Sequence, residues 1–310
     1  MPPSLPTRCG DVALAGVPNV GKSSLLNALM GAHLSIVSPR AQASRLPVTG
    51  LLTTVDTQYI FHDLPGLLDP AYPLHERMLA SAQEALGQVD LVLHLHPAAE
   101  APAPPFWPLT RLPAGIDVPV LTVYTKGDLV APALEDALGR QAVVVAAGAA
   151  RGLDRLLERV RAYLPERPFA HDPEDIAIQP VRFFAAEFVR EAAFEMLEDE
   201  LPYAIAVEVE EFREHTAPVY IRVTLHVERD SQKGIVIGHG GRTLKAIGQR
   251  ARARIEALIG SAVYLECWVK VLPHWRRNAA ALNRLGFPEE RPVTRRRPAR
   301  RRAPSTPPEG

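Results

Sequence analysis

One short glycine-rich segment constrains this chain more than any other feature. The residues Gly16-Val17-Pro18-Asn19-Val20-Gly21-Lys22-Ser23-Ser24 follow the apolar run Val12–Ala15 and open the helix-like stretch Ser23–Met30. Two spaced glycines and a Lys-Ser pair between a strand and a helix predict a phosphate-binding loop, whose backbone N–H groups and helix N-terminus surround a triphosphate. Lys22 is expected to reach the β- and γ-phosphates, and the Ser23 hydroxyl to ligate Mg²⁺.

Length and composition limit the remaining classes of protein. At 310 residues the chain exceeds the size at which one hydrophobic core keeps growing, so we expect two domains. Cys9 and Cys267 are too few for a disulfide framework or a thiolate metal site, which favours a reducing cytoplasm. No apolar run approaches the ~18 residues of a membrane span, and no signal-like segment opens the chain. We therefore expect a cytoplasmic protein, and we take it to be a monomer.

Strand-like and helical stretches alternate through the first half of the chain. Strands are predicted at Val12–Ala15, Leu91–Leu95, Val120–Tyr124 and Val143–Ala147, and helices at Ser23–Met30, Leu74–Gly87 and Leu153–Leu164. This alternation predicts an α/β domain at residues 1–165, with a mostly parallel sheet covered by helices on both faces. Together with the phosphate loop it indicates a P-loop NTPase. Seven prolines predict a loop with little helix at Pro97–Pro119.

The second half of the chain has a different pattern. Prolines at 165, 168, 173 and 180 interrupt a polar stretch, so residues 166–180 are predicted to be a linker. Residues 181–287 are predicted to form an α+β domain with helix Val181–Leu197, strands Ala204–Glu210, Val219–Val227 and Val263–Val271, and a closing helix Trp275–Leu285. Residues 288–310 are expected to be a disordered basic tail containing Arg295–Arg302. That tail could extend RNA contact, touch an anionic membrane surface, or only solubilise the protein.

The formal net charge of zero conceals an asymmetry along the chain. Residues 1–176 contain 13 Lys and Arg against 18 Asp and Glu, whereas residues 229–310 contain 18 against 6. The C-terminal part is therefore expected to meet a polyanion.

A second polar segment stands at the end of a predicted strand. Asp63-Leu64-Pro65-Gly66 follows the strand-like residues 58–62. Asp63 suits a water-mediated contact to Mg²⁺, and the Gly66 N–H suits a contact to a γ-phosphate that hydrolysis would release. In isolation the segment equally fits a plain turn.

A third segment, Thr125-Lys126-Gly127-Asp128, ends the strand predicted at Val120–Tyr124. Asp128 could accept from N1–H and the exocyclic amine of guanine, while the Lys126 stem lies along the purine. Adenine has no donor at that ring nitrogen, and an unpaired buried carboxylate gives discrimination of ~10⁴-fold or more. In this order after a phosphate loop and Asp63, the segment predicts GTP and GDP as the nucleotides.

Another glycine-rich loop lies in the basic half. Gly238-His239-Gly240-Gly241 stands between the apolar residues 235–237 and a basic helix. A backbone without bulky side chains lets single-stranded RNA pass close to a helix N-terminus, as in a KH domain. Its phosphates are expected to meet Lys233, Arg242 and Lys245. A tight turn without a ligand is the alternative for so short a motif.

These motifs, taken in order, resemble the Era family of GTPases over roughly Val12 to Phe287. The resemblance also rests on Ser38–Arg45, Leu201–Tyr203, Leu265–Val271, Trp275 and Leu285–Phe287. It implies a small GTPase-like domain followed by a type II KH domain, with GTP or GDP and Mg²⁺ as ligands. It further implies that the KH domain binds the 3′ end of small-subunit ribosomal RNA and that the protein assists assembly of the small ribosomal subunit.

The resemblance assigns a Mg²⁺ ligand set and a catalytic pair. Family members carry two threonines where this chain has Ala43 and Ser44. The resemblance implies that Ser44 replaces a Mg²⁺-ligating threonine, completing a metal set with Ser23 and Asp63, and that Lys22 and Ser44 form the catalytic pair. A monovalent cation such as K⁺ is implied near Asn19.

The resemblance also marks departures at the base-binding end. Thr125 stands at a family asparagine, which alters the tie between the base-binding and phosphate loops. The last guanine-contacting loop maps to Gly148-Ala149, where backbone N–H groups could still meet the guanine oxygen.

We predict a GTPase switch whose nucleotide state controls access of the KH domain to RNA. The switch segments are expected at Pro39–Gly50 and Gly66–Arg77. Leu67 follows Gly66 where a water-orienting glutamine could stand, so we expect intrinsic hydrolysis on the order of 10⁻³ s⁻¹ or below. Two alternatives stay open: a hydrolysis-poor, nucleotide-dependent RNA chaperone, and an ATP-dependent phosphotransferase acting on RNA.

Overall fold

The computed structural model describes residues 6–40, 42–112, 118–287 and 289. The first half contains strands β1 (Arg8–Ala15), β2 (Val48–Thr53), β3 (Thr57–Asp63), β4 (Leu91–Pro97), β5 (Val120–Thr125) and β6 (Val143–Val144). Its helices are α1 (Lys22–Met30), α2 (Pro73–Leu86), α3 (Trp107–Thr110), α4 (Pro132–Gly139) and α5 (Leu153–Arg161).

The six strands of the first half form one sheet in the order β2-β3-β1-β4-β5-β6. All neighbouring strands are parallel except β2, which runs antiparallel to β3. The central strands β1 and β4 are almost wholly buried, as expected of a sheet with helices on both faces. The α/β prediction is confirmed, and the carboxyl ends of β1, β3 and β5 meet at one edge, where ligands bind in such sheets.

The second half contains helices α6 (Val181–Met196), α7 (Leu201–Ala204), α8 (Asp230–Ile237), α9 (Arg242–Ile259) and α10 (Ala279–Arg284), and strands β7 (Ala206–Arg213), β8 (Val219–Val227) and β9 (Val263–Val271). Its sheet has the order β7-β8-β9, with β7 antiparallel and β9 parallel to β8. Apart from the one-turn α7, the main elements follow in the order αββααβ, which confirms the type II KH prediction. The buried faces of α6 and α9 pack on this sheet through Phe188, Ala192, Ile247 and Ile255.

Several predicted elements differ from the structure. The sequence pattern missed β2, which lies partly inside the expected switch segment at residues 39–50: Val48 pairs with Asp63, so only residues before Val48 are outside a strand. The other segment, residues 66–77, includes the first turns of α2. The strand predicted at Val143–Ala147 is limited to Val143–Val144, because a one-turn helix begins at Ala147.

The closing helix and the proline-rich loop also differ in detail. A 3₁₀ turn at Trp275–Arg277 precedes α10, whose N-cap Asn278 accepts from Ala281 N–H. Residues 97–119 contain one 3₁₀ turn and the four-residue α3 in their described part. The basic tail at residues 290–310 lies outside the described residues.

The two halves pack against each other through α2 and the last elements of the chain. Leu74 and Met78 of α2 share one apolar cluster with Trp275, Leu282 and Phe287. The Trp275 ring is fully buried, and its Nε1 donates to the Ala204 carbonyl at 2.8 Å. Among the described residues there is no helix with the length and hydropathy needed to cross a bilayer.

Candidate nucleotide and RNA sites

The phosphate loop has a backbone that depends on its glycines. Gly16 has φ 153°, and a Cβ there would lie 2.6 Å from the Leu95 carbonyl oxygen. Gly21 has φ 96° and precedes the first residue of α1, and Asn19 between them also has a positive φ of 64°. The loop therefore reverses direction within a few residues and leads into the helix N-terminus, where phosphate charge is stabilised.

Lys22 forms the floor of the loop. Its side chain is only 6% exposed, and Nζ donates to the carbonyls of Gly16 at 3.3 Å and Val17 at 3.0 Å. Burial lowers the Lys22 pKa to about 8, opposed by the nearby Asp63 carboxylate. An anion in the loop would complete the coordination of this ammonium group, as predicted for a triphosphate.

Three oxygen-bearing side chains meet beside Lys22. Ser23 Oγ donates to Asp63 Oδ2 at 2.7 Å and lies 2.9 Å from Ser44 Oγ. Asp63 is fully buried, and burial raises the pKa of its carboxyl against the influence of Lys22. The structure thus brings together the three residues predicted to serve Mg²⁺, including Ser44 in place of the family threonine.

The segment after β3 closes on the phosphate loop. Leu64 N–H donates to Leu14 O at 3.2 Å, and Leu67 N–H donates to Gly16 O at 3.1 Å. Pro65 is buried, and a Cβ on Gly66 would lie 2.8 to 3.0 Å from atoms of Pro18. Gly66 therefore permits an approach between the two loops that a larger residue would prevent.

An open cavity of about 410 Å³ lies above these groups. It is lined by Pro18, Asn19, Gly21, Lys22, Ser23, Ser24, Ile36, Val37, Ser38, Pro39, Gln42, Ala43, Ser44, Gly66 and Lys126. Its size is within the usual range of small-molecule sites. Most of the predicted phosphate-loop residues line it, with Pro39 and Gln42 from the expected switch segment. Ile36, Val37 and Ser38, which precede that segment, also line it and were not among the predicted site residues.

At the base-binding end, Thr125 still bonds to the phosphate loop, although it replaces the family asparagine. Its Oγ1 donates to Val20 O at 2.6 Å, which connects the end of β5 to the phosphate loop. Lys126 has a left-handed backbone and reaches the cavity. A Cβ on Gly127 would lie 2.7 Å from Val144, so this turn is packed closely against β6.

The remaining predicted base contacts lie on the surface. Asp128, Gly148 and Ala149 are exposed at the same edge of the sheet and do not line the cavity. The Ala149 N–H already donates to Ala146 O at 3.1 Å within a turn. The phosphate end of the site is thus enclosed, while the base end is open to solvent.

The segment over the cavity is held by α6 of the second domain, which sequence reasoning missed. Glu191 is 2% exposed; it accepts from Val37 N–H at 3.0 Å and lies 2.7 Å from His33 Nε2. Arg190, also buried, donates to the Ala43 carbonyl. The adjacent pair Arg190-Glu191, on a helix whose buried face is otherwise mostly Phe, Val and Ala, was the sequence signal for this contact.

The second glycine-rich loop joins α8 to α9. Gly238, Gly240 and Gly241 all have positive φ, and a Cβ on Gly238 would lie 2.2 Å from Thr243 Oγ1. His239 and Gly240 are exposed, as are Arg242 and Lys245 in the first turns of α9, while Lys233 on α8 is half-buried. Of the predicted RNA-binding residues, those of the loop and of the first turns of α9 thus follow one another along the surface, and Lys233 lies on the preceding helix α8.

A groove of about 370 Å³ continues from this loop between α9 and β9. Its lining residues are Gly241, Leu244, Lys245, Gly248, Gln249, Arg252, Leu265 and Cys267. Gly248 leaves room beside Cys267, whose Sγ would lie 3.4 Å from an added Cβ. The spacing of Leu244, Gly248 and Arg252 by four residues on one helix face was the signal available in the sequence.

Comparisons with known proteins agree with both sites. Residues 11–126 match the family described as 50S ribosome-binding GTPase, and residues 200–276 match the KH domain family. The chain is 37% identical to GTPase Era of Heliobacterium modesticaldum and 40% identical to that of Geobacter metallireducens, over 91% of this chain and 98% of each relative.

Solved structures show the same similarity. An Aquifex aeolicus Era variant bound to GDP and AlF₄⁻ is 34% identical with a TM-score of 0.83, covering 91% of this chain and 99% of that chain. An Era structure in complex with MgGDPNP and nucleotides 1506–1542 of 16S ribosomal RNA has the same identity, TM-score and coverage.

Proposed function

Because this chain belongs to the Era family of GTPases, we propose that it binds and slowly hydrolyses GTP at the cavity above Lys22. We further propose that it binds the 3′ end of small-subunit ribosomal RNA along α9 and assists assembly of that subunit. The observation that carries the nucleotide assignment is the contact of Ser23 with both Asp63 and Ser44 beside a buried lysine.

The oxygen donors fit Mg²⁺. Ser23, Ser44 and Asp63 present two hydroxyls and a carboxylate, the hard ligands this ion prefers. Asp63 Oδ1 is buried and has no hydrogen-bond partner in the described part of the chain, so a bound ion or its water would satisfy it. Mg²⁺ would neutralise charge on the β- and γ-phosphates, and Lys22 would neutralise more of it from below.

The chain's own residues prepare the phosphate end before the nucleotide arrives. Asn19 Nδ2 donates to Pro39 O at 2.9 Å, which holds the start of the expected switch segment over the phosphate loop. The Gly66 N–H lies in the segment that approaches Pro18. Both segments can be fixed by a γ-phosphate and released after its loss, which is how a GTPase switch operates.

Helix α6 supports the proposal that the nucleotide state reaches the RNA-binding domain. Glu191 contacts the segment over the cavity through Val37 and His33, and it lies 3.4 Å from Arg254 of α9. The same carboxylate therefore joins the residues that lead into the switch segment at Pro39–Gly50 to the helix that carries Arg242 and Lys245. A displacement of residues 33–45 would disturb this contact on both sides.

Competition and phosphate release test the nucleotide proposal. GDP, but not ADP, should displace labelled GTP, and the protein should release phosphate over several turnovers at about 10⁻³ s⁻¹ or below. Lys22→Ala is the inactive control. Turnover faster than about 1 s⁻¹ without a partner, or displacement by ADP, would contradict the proposal.

The alternative of a hydrolysis-poor RNA chaperone differs in one measurable outcome. It predicts GTP-dependent RNA binding without multiple-turnover phosphate release. The position of Ser44 beside Ser23 favours hydrolysis, because the hydroxyl that replaces the family threonine lies where a Mg²⁺ ligand is needed.

Further parts of the proposal concern the surroundings of the protein. Asn19, with Nδ2 engaged by Pro39, would offer Oδ1 to K⁺, and exchange of K⁺ for Na⁺ should then slow hydrolysis.

We propose a cytoplasmic monomer, and light scattering tests that state. Peripheral membrane contact through Arg295–Arg302 is tested by sedimentation with anionic vesicles.

A further inference from the structure

The site lacks a glutamine in the position that often serves hydrolysis in GTPases. Leu67 follows Gly66; its side chain is 4% exposed and its N–H is bonded to Gly16 O. A leucine side chain can neither orient water nor donate to a phosphoryl oxygen. Some other group must then stabilise the charge that develops as the γ-phosphoryl group is transferred.

Gln42 lines the cavity from the opposite side. It lies two residues before Ser44 and has a left-handed backbone, φ 63°. A non-glycine residue in this conformation is uncommon and indicates a local constraint. The side chain of Gln42 lies between the cavity, which it lines, and His75 near the start of α2.

The Gln42 side chain is fixed by His75 of α2. Gln42 Oε1 lies 2.8 Å from His75 Nε2, and His75 Nδ1 accepts from Ala71 N–H at 3.4 Å. Because Nδ1 is an acceptor, the ring proton is on Nε2, which donates to the glutamine oxygen. This hydrogen bond turns the amide oxygen toward His75 and leaves the two N–H groups of Gln42 as the donors that a ligand in the cavity can use.

His75 is itself held firmly. Its side chain is 5% exposed, and its ring centroid lies 3.8 Å from that of Tyr72. Tyr72 in turn lies under the guanidinium of Arg276, 5.3 Å from the ring centroid, in the second domain. The orientation of Gln42 thus depends on a chain of contacts that begins outside the GTPase domain.

We propose that the Gln42 amide donates a hydrogen bond to the γ-phosphoryl oxygens during GTP hydrolysis, with His75 as its positioning residue. In this reaction a water oxygen bonds to the γ-phosphorus as the bond to the β,γ-bridging oxygen breaks, giving GDP and inorganic phosphate. In the metaphosphate-like transition state the three equatorial oxygens of the transferred group share its charge in a planar arrangement that GTP lacks, so a donor placed for that arrangement accelerates the reaction without tightening GDP binding. The inference rests on the GTPase activity of the site.

The test compares Gln42→Asn with the wild-type chain. Asparagine tolerates the left-handed backbone and keeps an amide, but its amide is one methylene shorter. We expect single-turnover hydrolysis to fall about 10- to 100-fold, while the Kd for GDP stays within about twofold. Gln141→Asn makes the same chemical change at an exposed site outside the cavity and should leave both unchanged.

A second readout does not depend on turnover. AlF₄⁻ with GDP imitates the transferred phosphoryl group, so it should tighten GDP binding to the wild-type chain and tighten it much less in Gln42→Asn. The inference would be overturned if AlF₄⁻ tightened GDP binding equally in both proteins. It would also be overturned if Gln42→Asn weakened the binding of GDP alone as much as it weakened the binding of GDP with AlF₄⁻. If the wild-type chain neither hydrolyses GTP nor responds to AlF₄⁻, the proposed GTPase function fails instead.

The role of His75 is separated by a double-mutant cycle. His75→Leu should lower kcat several-fold with little change in KM, and His75→Gln, which keeps an N–H donor, should recover part of that loss. Because His75 acts through Gln42, His75→Leu should add less than about twofold to the defect of Gln42→Asn. Fully multiplicative effects would show that the two residues act independently and would contradict the positioning role.

Discussion

The nucleotide site and the RNA groove both use basic side chains, yet they hold their charges in opposite ways. Lys22 is 6% exposed and lies beside the fully buried Asp63, whereas Arg242 and Lys245 stand exposed at the start of α9. A buried charge is expensive to desolvate, so its partners must be fixed by the fold before the ligand arrives. An exposed charge costs little and acts through screened attraction. The first site is therefore suited to recognising one phosphate geometry, and the second to attracting a flexible polyanion.

This comparison predicts that replacing Lys22 has the largest effect, a loss of GTP affinity. Lys22→Ala removes the buried ammonium group that is expected to meet the β- and γ-phosphates, and no other described cation lies in the floor of the loop. GTP affinity measured by fluorescence titration should fall at least about 100-fold. Arg140→Ala removes an exposed cation of the same domain and should leave GTP affinity unchanged. Near-normal binding by Lys22→Ala would mean that the buried lysine is not the phosphate-binding group.

The GTPase domain should also be sensitive to acid through His94. This residue of β4 is 2% exposed beside Phe106, and burial lowers its pKa to about 4. Between its unfolded pKa near 6.5 and about 4, the unfolded chain binds a proton that the folded chain does not, so stability falls as the pH falls. His94→Leu should reduce the loss of unfolding free energy between pH 7 and pH 4.5 by about 2 to 3 kcal/mol. Equal acid sensitivity in denaturant titrations of both proteins would exclude His94 as the cause.

The RNA groove should respond to salt. Loss of Arg242 and Lys245 in the double alanine variant removes two phosphate contacts, and each contributes about 0.7 to the slope of log affinity against log salt for a single strand. The slope should therefore fall by about 1.4, with weaker binding at low salt. Arg155→Ala, on α5 of the other domain, serves as the matched control. An unchanged slope would place the RNA elsewhere.

The smallest effect is expected at the base-binding end. Thr125→Val removes the hydrogen bond to Val20 O but keeps the shape of the side chain. Loss of one such bond costs about 1 kcal/mol, so the Kd for GDP should rise about fivefold. Thr125→Ser keeps the hydroxyl and should bind nearly normally. If valine has no effect, the tie between the two loops does not contribute to affinity.

Local patterns predicted much of the fold. The phosphate loop, the parallel strands and the αββααβ order of the second domain follow from hydrophobic periodicity and glycine spacing, which depend on neighbours along the chain. Strand β2 was missed because Val48-Thr49-Gly50 interrupts an alternating pattern and its partner β3 lies on the far side of a turn. The closing helix was overextended because Asn278 caps a new helix after the turn at Trp275.

The candidate sites divide in the same way. Lys22, Ser23, Asp63 and Gly238–Gly241 could be identified because motifs fix both their chemistry and their local backbone. The contacts that hold the segment over the cavity could not be identified in this way. Glu191 lies 154 positions from its partner Val37, and His75 lies 33 positions from its partner Gln42. No periodicity relates residues so far apart.

The sequence by itself predicted the nucleotide, the two domain types and a basic segment suited to a polyanion, since each depends on residue types at short spacing. Only the tertiary structure decided that Ser44 stands beside Ser23, that Thr125 preserves the tie to the phosphate loop, and that α6 holds the segment over the cavity. The physical reason is that hydrogen bonds between distant segments depend on how the elements pack, within the first domain for Ser44 and Thr125 and between the two domains for α6. That packing is the sum of many apolar contacts, and no single motif encodes it.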